Sequence, residues 1–316
     1  MMVDDIGYLD SKSPSNSYQT RITQSTKEKK SPIILALDFK LEDFDNNNKK
    51  LFIKCKEIIT ATESKICAIK VNFHLLLSLT NIQIVELNFF AHRFNLQSIA
   101  DLKLNDIGNT NVITINRLKK LGFDAVIVNP FIGITEMKSL TAHAHSINFG
   151  VISLVYMSHP SSSEGYGLKV VVPSFYDSQT PSTSIPTNSH SVRQQLDDDK
   201  SKKKYANSFT RDIISMYRLL FYFAYSSGSD GIVIGGTKDD IIKEISQLNH
   251  NISIYSPGMI TQGGSLNVAI NAGTDYFIIG RYIINSSSPV ETLNLLLQEI
   301  KRHKKFNYDI NKSNKI

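Results

Sequence analysis

Eight short apolar runs recur along this chain, and their number and spacing constrain its fold more than any other feature. Apolar and polar residues hardly alternate within them, which is typical of parallel strands that are buried on both faces. The runs occupy residues 32–37, 66–71, 96–102, 125–128, 151–156, 231–234, 252–255 and 276–279. We therefore predict eight buried, parallel β-strands.

Segments with helical spacing of apolar residues lie between the predicted strands. Their apolar residues recur three and four positions apart, as on one face of an amphipathic helix. The clearest examples are residues 82–93, 111–121, 239–248 and 290–300. Alternating strands and helices in this number predict an α/β fold, a (β/α)8 TIM barrel over residues 32–300. Such barrels usually contain about 250 residues, which fits this interval once one insertion is subtracted.

That insertion follows the fifth predicted strand. It spans residues 161–207 and contains a Ser/Thr/Pro-rich stretch at 178–191 and a block of charges at 197–204. This low-complexity composition buries too little apolar surface to form a core, so we predict that most of the insertion is disordered. Only its start, at residues 164–167, is expected to be ordered near a functional site.

Both ends of the chain are predicted to lie outside the barrel. Residues 1–31 are polar without periodicity and are expected to form a disordered leader, and residues 301–316 a basic tail. The tail holds six Lys and Arg residues against one acid, Asp309, and so supplies +5 of the net charge of +6. The remaining chain is close to neutral, which argues against nucleic-acid binding by the barrel. An RNA-associated role of the tail is the weaker alternative.

The sequence pattern contains no signal for a membrane or for secretion. No apolar run approaches the roughly 18 residues of a membrane span. Asp4 and Asp5 stand where a secretory signal would be apolar. The two cysteines, Cys55 and Cys67, lack the spacing of a zinc site or a disulfide framework. We therefore expect a cytoplasmic protein without membrane contact.

Charged residues follow the second and third predicted strands. Lys70 lies at the end of the second, and Asp101 and Lys103 close the third. Because side chains alternate along a strand, Asp101 and Lys103 point to the same face. Catalytic groups converge at the C-terminal mouth of a barrel, so we predict a cavity of alternating charge that also includes Asp106. The alternative is a solvated salt-bridge cluster. Further polar residues at strand ends that are expected to face this cavity are Asp38 and Ser158.

The last two predicted strands indicate a phosphate site. Pro257 and Gln262 lie in a glycine-rich loop that leads into a helix, and Gly280 and Arg281 follow the eighth strand. In such barrels the loops after the last two strands commonly bind phosphate, through backbone N–H groups at a helix N-terminus. The guanidinium of Arg281 can donate two parallel hydrogen bonds to a phosphate. The alternative is a helix cap with a surface arginine.

These motifs, in this order, resemble those of the orotidine 5′-phosphate decarboxylase family over residues 32–300. The Asp-x-Lys-x-x-Asp element also marks related barrels that act on sugar phosphates. Ile107, Thr110 and the Gln262 loop indicate the decarboxylase more specifically. The matching pieces are Leu35-Ala-Leu-Asp38, Lys70, Asp101-x-Lys103-x-x-Asp106-Ile107-x-x-Thr110, Met157-Ser-His-Pro160, Pro257-Gly-x-x-x-Gln262-Gly-Gly264 and Gly280-Arg281.

The resemblance implies a cofactor-free carboxy-lyase that converts orotidine 5′-phosphate (OMP) to UMP and CO2 in pyrimidine biosynthesis. Lys103 would protonate C6 of the pyrimidine, and Asp101 would lie against the substrate carboxylate. Lys70 and Asp106 would complete the charged array. The residues implied to bind substrate are Asp38 at the ribose, Ser158 at the pyrimidine, and Gln262 and Arg281 at the phosphate, with Pro257 and Gly280 beside them.

The resemblance also implies an assembly. In this family Asp106, Ile107 and Thr110 reach into the neighbouring subunit's site, so a homodimer with shared active sites is expected.

Two other functions stay open at the level of the sequence. The first is a metal-assisted sugar-phosphate aldolase or decarboxylase of the same superfamily, and activity in a chelator would count against it. The second is a barrel without catalysis that binds a nucleotide or a partner through its insertion and tail. The intact set of Lys70, Asp101, Lys103 and Asp106 speaks against lost catalysis.

Overall fold

A computed structural model describes residues 17–173, 211–248, 251–260, 263 and 265–303. Eight parallel strands close into a barrel in the order β1-β2-β3-β4-β5-β8-β9-β10, with β10 paired to β1. The eight predicted strands and the barrel are confirmed. The strands are β1 (Ile33–Leu37), β2 (Ala68–Asn72), β3 (Gln97–Leu104), β4 (Ala125–Val128), β5 (Gly150–Tyr156), β6 (Lys169–Pro173), β7 (Arg211–Ser215), β8 (Gly231–Ile234), β9 (Ser253–Pro257) and β10 (Tyr276–Ile279).

Helices surround the barrel and return the chain from one strand to the next. The four segments with helical spacing correspond to α4, α5, α9 and α12, so these predictions are confirmed. The helices are α1 (Tyr18–Lys29), α2 (Asn48–Thr62), α3 (Phe73–Ser78), α4 (Asn81–His92), α5 (Gly108–Lys120), α6 (Ile134–Ser146), α7 (Ser163–Tyr166), α8 (Met216–Ser226), α9 (Asp239–Gln247), α10 (Leu266–Ala272), α11 (Arg281–Ile284) and α12 (Pro289–His303). Helix α4 begins with a capping box between Thr80 and Gln83.

The strands are apolar on both faces because each face packs against a different layer. Ile34 and Ile99 belong to the cluster that fills the barrel interior. Ile33 and Val71 belong to the larger cluster between the strands and the helices. This arrangement explains why the sequence showed runs of apolar residues rather than alternation.

Helix α1 closes the N-terminal end of the barrel, and the prediction of a disordered leader is therefore wrong for residues 17–31. Tyr18 and Ile22 are buried in the interior cluster. The Arg21 guanidinium lies 3.4 Å from the Asp124 carboxylate, and Ser25 Oγ donates to the Cys67 carbonyl at 2.7 Å. Only two large apolar side chains carry the packing of this helix, which is too few to show as periodicity in the sequence. Residues 1–16 lie outside the described ranges.

The start of the insertion is ordered, as predicted. Residues 163–166 form α7, and the ordered part continues into β6, which pairs antiparallel with β7. The Leu168 carbonyl accepts a hydrogen bond from the Met216 backbone N–H at 2.8 Å, which ties this hairpin to the start of α8. Residues 174–210 and 304–316, which include most of the predicted insertion and tail, lie outside the described ranges. Within those ranges no helix is both long enough and apolar enough to cross a membrane.

Candidate active site

A continuous series of six side chains lies at the C-terminal ends of β1, β2, β3 and β10. Each member contacts the next through a hydrogen bond or an ion pair. Because parallel strands of a barrel end at one mouth, residues distant in sequence meet there. In order, the series is Lys103, Asp101, Lys70, Asn72, Asp38 and Arg281.

Asp101 lies between two ammonium groups. Its Oδ2 is 2.6 Å from Lys70 Nζ and its Oδ1 is 2.8 Å from Lys103 Nζ. Burial raises the pKa of the Asp101 carboxyl, but the charges and hydrogen bonds of Lys70 and Lys103 outweigh it and lower the pKa from the usual 3.8 to about 2. Asp101 is therefore ionised throughout the neutral pH range. At the centre of the predicted cavity of alternating charge, Lys70, Asp101 and Lys103 form a compact, partly buried triad.

The two lysines differ in their surroundings. The Lys70 side chain is 6% exposed and fixed within the barrel mouth, whereas the Lys103 side chain is 41% exposed. Lys103 also has a left-handed backbone, with φ of 50°, where the register between β3 and β4 shifts. A left-handed residue costs roughly 1–2 kcal/mol for a side chain of this kind. The irregular end of β3 directs Lys103 toward Asp101 from the open side of the cavity.

Asn72 is a member of the series that sequence reasoning missed. Lys70 Nζ donates to Asn72 Oδ1, and Asn72 Nδ2 donates to Asp38 Oδ1. Asn72 follows Lys70 by two positions, and therefore lies on the same face of β2. That spacing is the signal by which it could have been found.

Asp38 and Arg281 meet at the other end of the series. Arg281 Nε lies 3.3 Å from Asp38 Oδ2, and the Arg281 side chain is half exposed. His74 Nε2 lies 3.7 Å from Asp38 Oδ1 and 3.1 Å from the Phe39 carbonyl oxygen. Gly280 allows this closure, since a Cβ there would lie 3.1 Å from the Ala36 carbonyl oxygen. Asp38 and Arg281 thus face one another at the mouth of the barrel.

Ser158 and Pro257 lie in a packed region formed by the loops after β5, β8 and β9. Thr237 Oγ1 donates to the Ser158 carbonyl at 3.1 Å, and the Gly236 N–H donates to the Pro257 carbonyl at 2.7 Å. A Cβ on Gly235 would lie 2.5 Å from Ser158 Cα, so the approach of these loops requires glycine. The loop after β8 thus contacts Ser158 through Gly235 and Thr237, and Pro257 through Gly236. Gln262 lies outside the described residues.

Asp106, Ile107 and Thr110 lie where α5 begins, apart from the charged series. Ile107 is 71% exposed, and Asp106 Oδ1 accepts from the Ile107 N–H at 2.8 Å. The buried Asn111 holds this turn, since its Nδ2 donates to the Asp106 carbonyl at 2.5 Å and its Oδ1 accepts from the Asp106 N–H at 3.3 Å. Sequence reasoning missed Asn111. Within one chain, the fourth charge of the predicted array therefore points toward the surface.

Metal ligands are not grouped in the part of the chain that the structure describes: it contains no cluster of three or more His, Cys, Asp or Glu side chains placed to hold an ion.

The sequence model of the orotidine 5′-phosphate decarboxylase / HUMPS family matches residues 31–175, which include the Asp101 to Thr110 segment. The orotidine 5′-phosphate decarboxylase of Pyrococcus abyssi strain GE5 is 27% identical over 270 residues, which cover 85% of this chain and 99% of that relative. Over these residues the chain is similar to the orotidine 5′-phosphate decarboxylase / HUMPS family. The family match covers the strands that carry Asp38, Lys70, Asp101 and Lys103.

Solved structures of the orotidine 5′-phosphate decarboxylase family share the barrel. The enzyme from Sulfolobus solfataricus aligns with a TM-score of 0.60 at 23% identity, over 86% of this chain and 99% of that one. The enzyme from Methanocaldococcus jannaschii, solved in complex with the inhibitor BMP, aligns with a TM-score of 0.59 at 23% identity, over 85% and 97%. At this identity the alignments establish the fold.

Proposed function

We propose that this chain decarboxylates orotidine 5′-phosphate to UMP and CO2 in pyrimidine biosynthesis without a cofactor. The observation that carries the proposal is the ionised Asp101 carboxylate held between the ammonium groups of Lys70 and Lys103 at the barrel mouth. The match to the family's sequence model and the names of the similar proteins support the same reaction.

The charged triad fits the difficulty of this reaction. Loss of CO2 from C6 leaves a carbanion with little delocalisation, so the transition state needs a fixed positive charge nearby. Lys103 provides that charge and then the proton that C6 requires. Asp101 would lie beside the substrate carboxylate and disfavour the ground state more than the transition state. Lys70, buried and bonded to Asp101, keeps that carboxylate ionised and in place.

The remainder of the substrate would bind along the series. Asp38 would accept a ribose hydroxyl and Arg281 would bind the phosphate. Since these two residues are paired with each other here, substrate would exchange one ion pair for two new contacts. Binding energy from the phosphate, which is remote from C6, can then serve to organise the triad. Further residues proposed to surround the substrate are Ser158, Pro257, Gln262 and Gly280.

A homodimer with shared sites would supply the remaining charge. Asp106 is exposed and Ile107 presents 71% of its surface. An apolar side chain so exposed beside a carboxylate at a catalytic mouth suits an interface between protomers. In the proposed dimer Asp106, Ile107 and Thr110 extend into the partner's cavity and complete its charged array.

The cysteines are consistent with a cytoplasmic enzyme. Cys55 and Cys67 are both buried and both free. Burial raises the pKa of each thiol to about 12, so neither is a reactive thiolate.

The decisive experiment follows the loss of OMP absorbance with purified protein in EDTA, with the Lys103→Ala variant beside the wild type. We expect decay with the wild type alone. Decay that requires a divalent metal would favour the metal-assisted superfamily, and no decay with or without metal would favour a barrel that only binds.

A further inference from the structure

We propose that Asn72 is a positioning residue for decarboxylation, because its amide couples the charged triad to the part of the site that holds the ribose and the phosphate. The inference rests on the proposed function. It concerns a residue that lies in none of the motifs by which the family resemblance was found.

The position of Asn72 in the series is the first argument. On one side, its Oδ1 accepts a hydrogen bond from Lys70 Nζ. On the other, its Nδ2 donates to Asp38 Oδ1. Without Asn72 the series separates into two parts, namely Lys103, Asp101 and Lys70 at the reacting carbon, and Asp38 with Arg281 at the distal end.

The second argument is a helix cap that Asn72 does not make. Asn72 is the N-cap residue of α3 and has the extended backbone of such a residue, with φ of −70° and ψ of 154°. Asparagine is among the best N-cap residues, and its side chain usually accepts a hydrogen bond from a backbone N–H of the first turn. The Asn72 side chain makes no such bond. It is turned into the site instead, where it bridges two charged groups.

The third argument is chemical. The position needs an acceptor toward an ammonium group and a donor toward a carboxylate, and a neutral amide provides both at once. A carboxylate would repel Asp38, and an alkyl side chain would leave both charged partners without their bond. Lys70 is almost fully buried, and the hydrogen bond to Asn72 is its second contact beside the ion pair with Asp101.

The consequence is that the orientation of Lys70 depends on Asp38. When a ribose hydroxyl replaces Arg281 as the partner of Asp38 and Arg281 binds the phosphate instead, Asn72 transmits the resulting position of Asp38 to Lys70 and so to Asp101. Misplacement of a catalytic array by about 1 Å is sufficient to slow the chemical step by about 100-fold.

The test compares Asn72→Ala and Asn72→Asp with the wild type, by kcat and KM for OMP. We expect Asn72→Ala to lower kcat by about 10- to 100-fold with a smaller change in KM, since the array and not the gross binding site is disturbed. Asn285→Ala, which removes an exposed asparagine after α11, is the matched control and should retain wild-type kinetics.

The pH dependence of kcat in the Asn72→Asp variant distinguishes a role within the charged series from a purely structural role. At high pH the new carboxylate faces Asp38, and the two repel one another. At lower pH a shared proton restores a donor toward Asp38 and an acceptor toward Lys70, so kcat relative to wild type should rise from about pH 8 to about pH 6. The kcat of Asn72→Ala relative to wild type should stay constant over the same interval.

Other groups that titrate or carry charge around Asn72 are common to all the proteins compared. Lys70 faces it from β2, Asp101 from β3, Asp38 from the end of β1, Arg281 from α11 and His74 from α3. Because these groups are present in every protein compared, taking the ratio to wild type removes their contribution to the pH profile.

Three outcomes would overturn the inference. In the first, the kcat of Asn72→Ala lies within about two-fold of wild type. In the second, the kcat of Asn72→Asp relative to wild type does not depend on pH. In the third, Asn72→Asp does not fold although the wild type is active. If Asn72→Ala alone does not fold, Asn72→Asp, which keeps the size of the side chain, decides. A wild-type protein that leaves OMP unchanged would instead refute the proposed function, and the inference with it.

Discussion

The Lys70 ammonium nitrogen lies 2.6 Å from Asp101 Oδ2, and both side chains are nearly inaccessible to water. A buried ion pair of this kind is costly to assemble, because both charges lose their hydration. The ion pair matters for its electrostatic effect. Lys70 keeps the Asp101 carboxylate ionised at the point where the substrate would place its own carboxylate.

The Asp101→Asn substitution should destabilise the protein in a pH-dependent way. The folded pKa of about 2 lies below the usual 3.8, so ionisation of Asp101 contributes roughly 2 kcal/mol to the free energy of unfolding above about pH 4. This contribution is lost as pH falls from about 4 to about 2, where the folded protein also becomes protonated. Urea unfolding of wild type and variant as a function of pH measures the difference.

We expect the difference in unfolding free energy to be largest near neutral pH and to shrink below about pH 4. The control is Asp45→Asn, whose carboxylate pairs with Lys50 at the surface and should matter little. A difference between wild type and Asp101→Asn that does not depend on pH would mean that the depressed pKa of Asp101 is not its source.

Lys103→Ala should remove turnover and leave the product site intact. Loss of both the fixed charge and the proton donor is expected to lower kcat for OMP by at least about 1,000-fold. Because the Lys103 side chain is 41% exposed, its removal should not disturb the barrel. Calorimetry should find UMP binding within a few-fold of wild type. Turnover near the wild-type rate would show that another group protonates C6; Lys50→Ala serves as the exposed control.

Arg281→Ala should weaken binding of the phosphate and not of the nucleoside. The loss for UMP is expected to be about 1.5–3 kcal/mol, the scale of a charge-assisted hydrogen bond, and uridine binding should change little. Stability should hardly change, because the pair with Asp38 is half exposed. Titration of both ligands against both proteins tests this. An equal loss for UMP and uridine would place the phosphate elsewhere.

Gly235→Ala should reduce both stability and activity. Its Cβ would lie 2.5 Å from the backbone of Ser158, so the loop after β5 must shift at a cost of about 1–3 kcal/mol. The matched control is Gly165→Ala in α7, where a Cβ meets no atom within 4 Å. Thermal unfolding and kcat/KM for OMP measure the two effects. Equal behaviour of the two variants would refute the close packing of these loops.

Subunit mixing should reveal shared active sites. If Asp106 acts in the partner's site, Lys103→Ala and Asp106→Ala chains that are co-expressed form mixed dimers with one complete site. Random pairing then restores about a quarter of wild-type activity. A mixture of Lys103→Ala with Asp101→Ala should restore none, because both residues serve the same site within one chain. Absence of recovery in the first mixture would argue that Asp106 acts within its own chain.

Local patterns determined the barrel and most of its charged mouth. Eight apolar runs bounded by polar residues are sufficient to predict parallel strands, because only burial on both faces suits them. Lys70, Asp101 and Lys103 could be assigned to one cavity, since strand ends converge and side chains alternate with a period of two. These inferences depend only on the spacing of residues along the chain, so they can be made from the sequence without the structure.

Three features depended on the tertiary structure. The sequence does not distinguish an Asn72 that caps α3 from one that bridges Lys70 and Asp38, because its second partner comes from another strand. The sequence does not predict helix α1, because the few side chains that bury it find their partners only inside the assembled barrel. Asn111 was missed because its hydrogen bonds stabilise a turn, and a turn of this kind leaves no periodic pattern in the sequence. Periodicity along the chain reports which face is buried, whereas the choice of a hydrogen-bond partner is made only when distant segments meet.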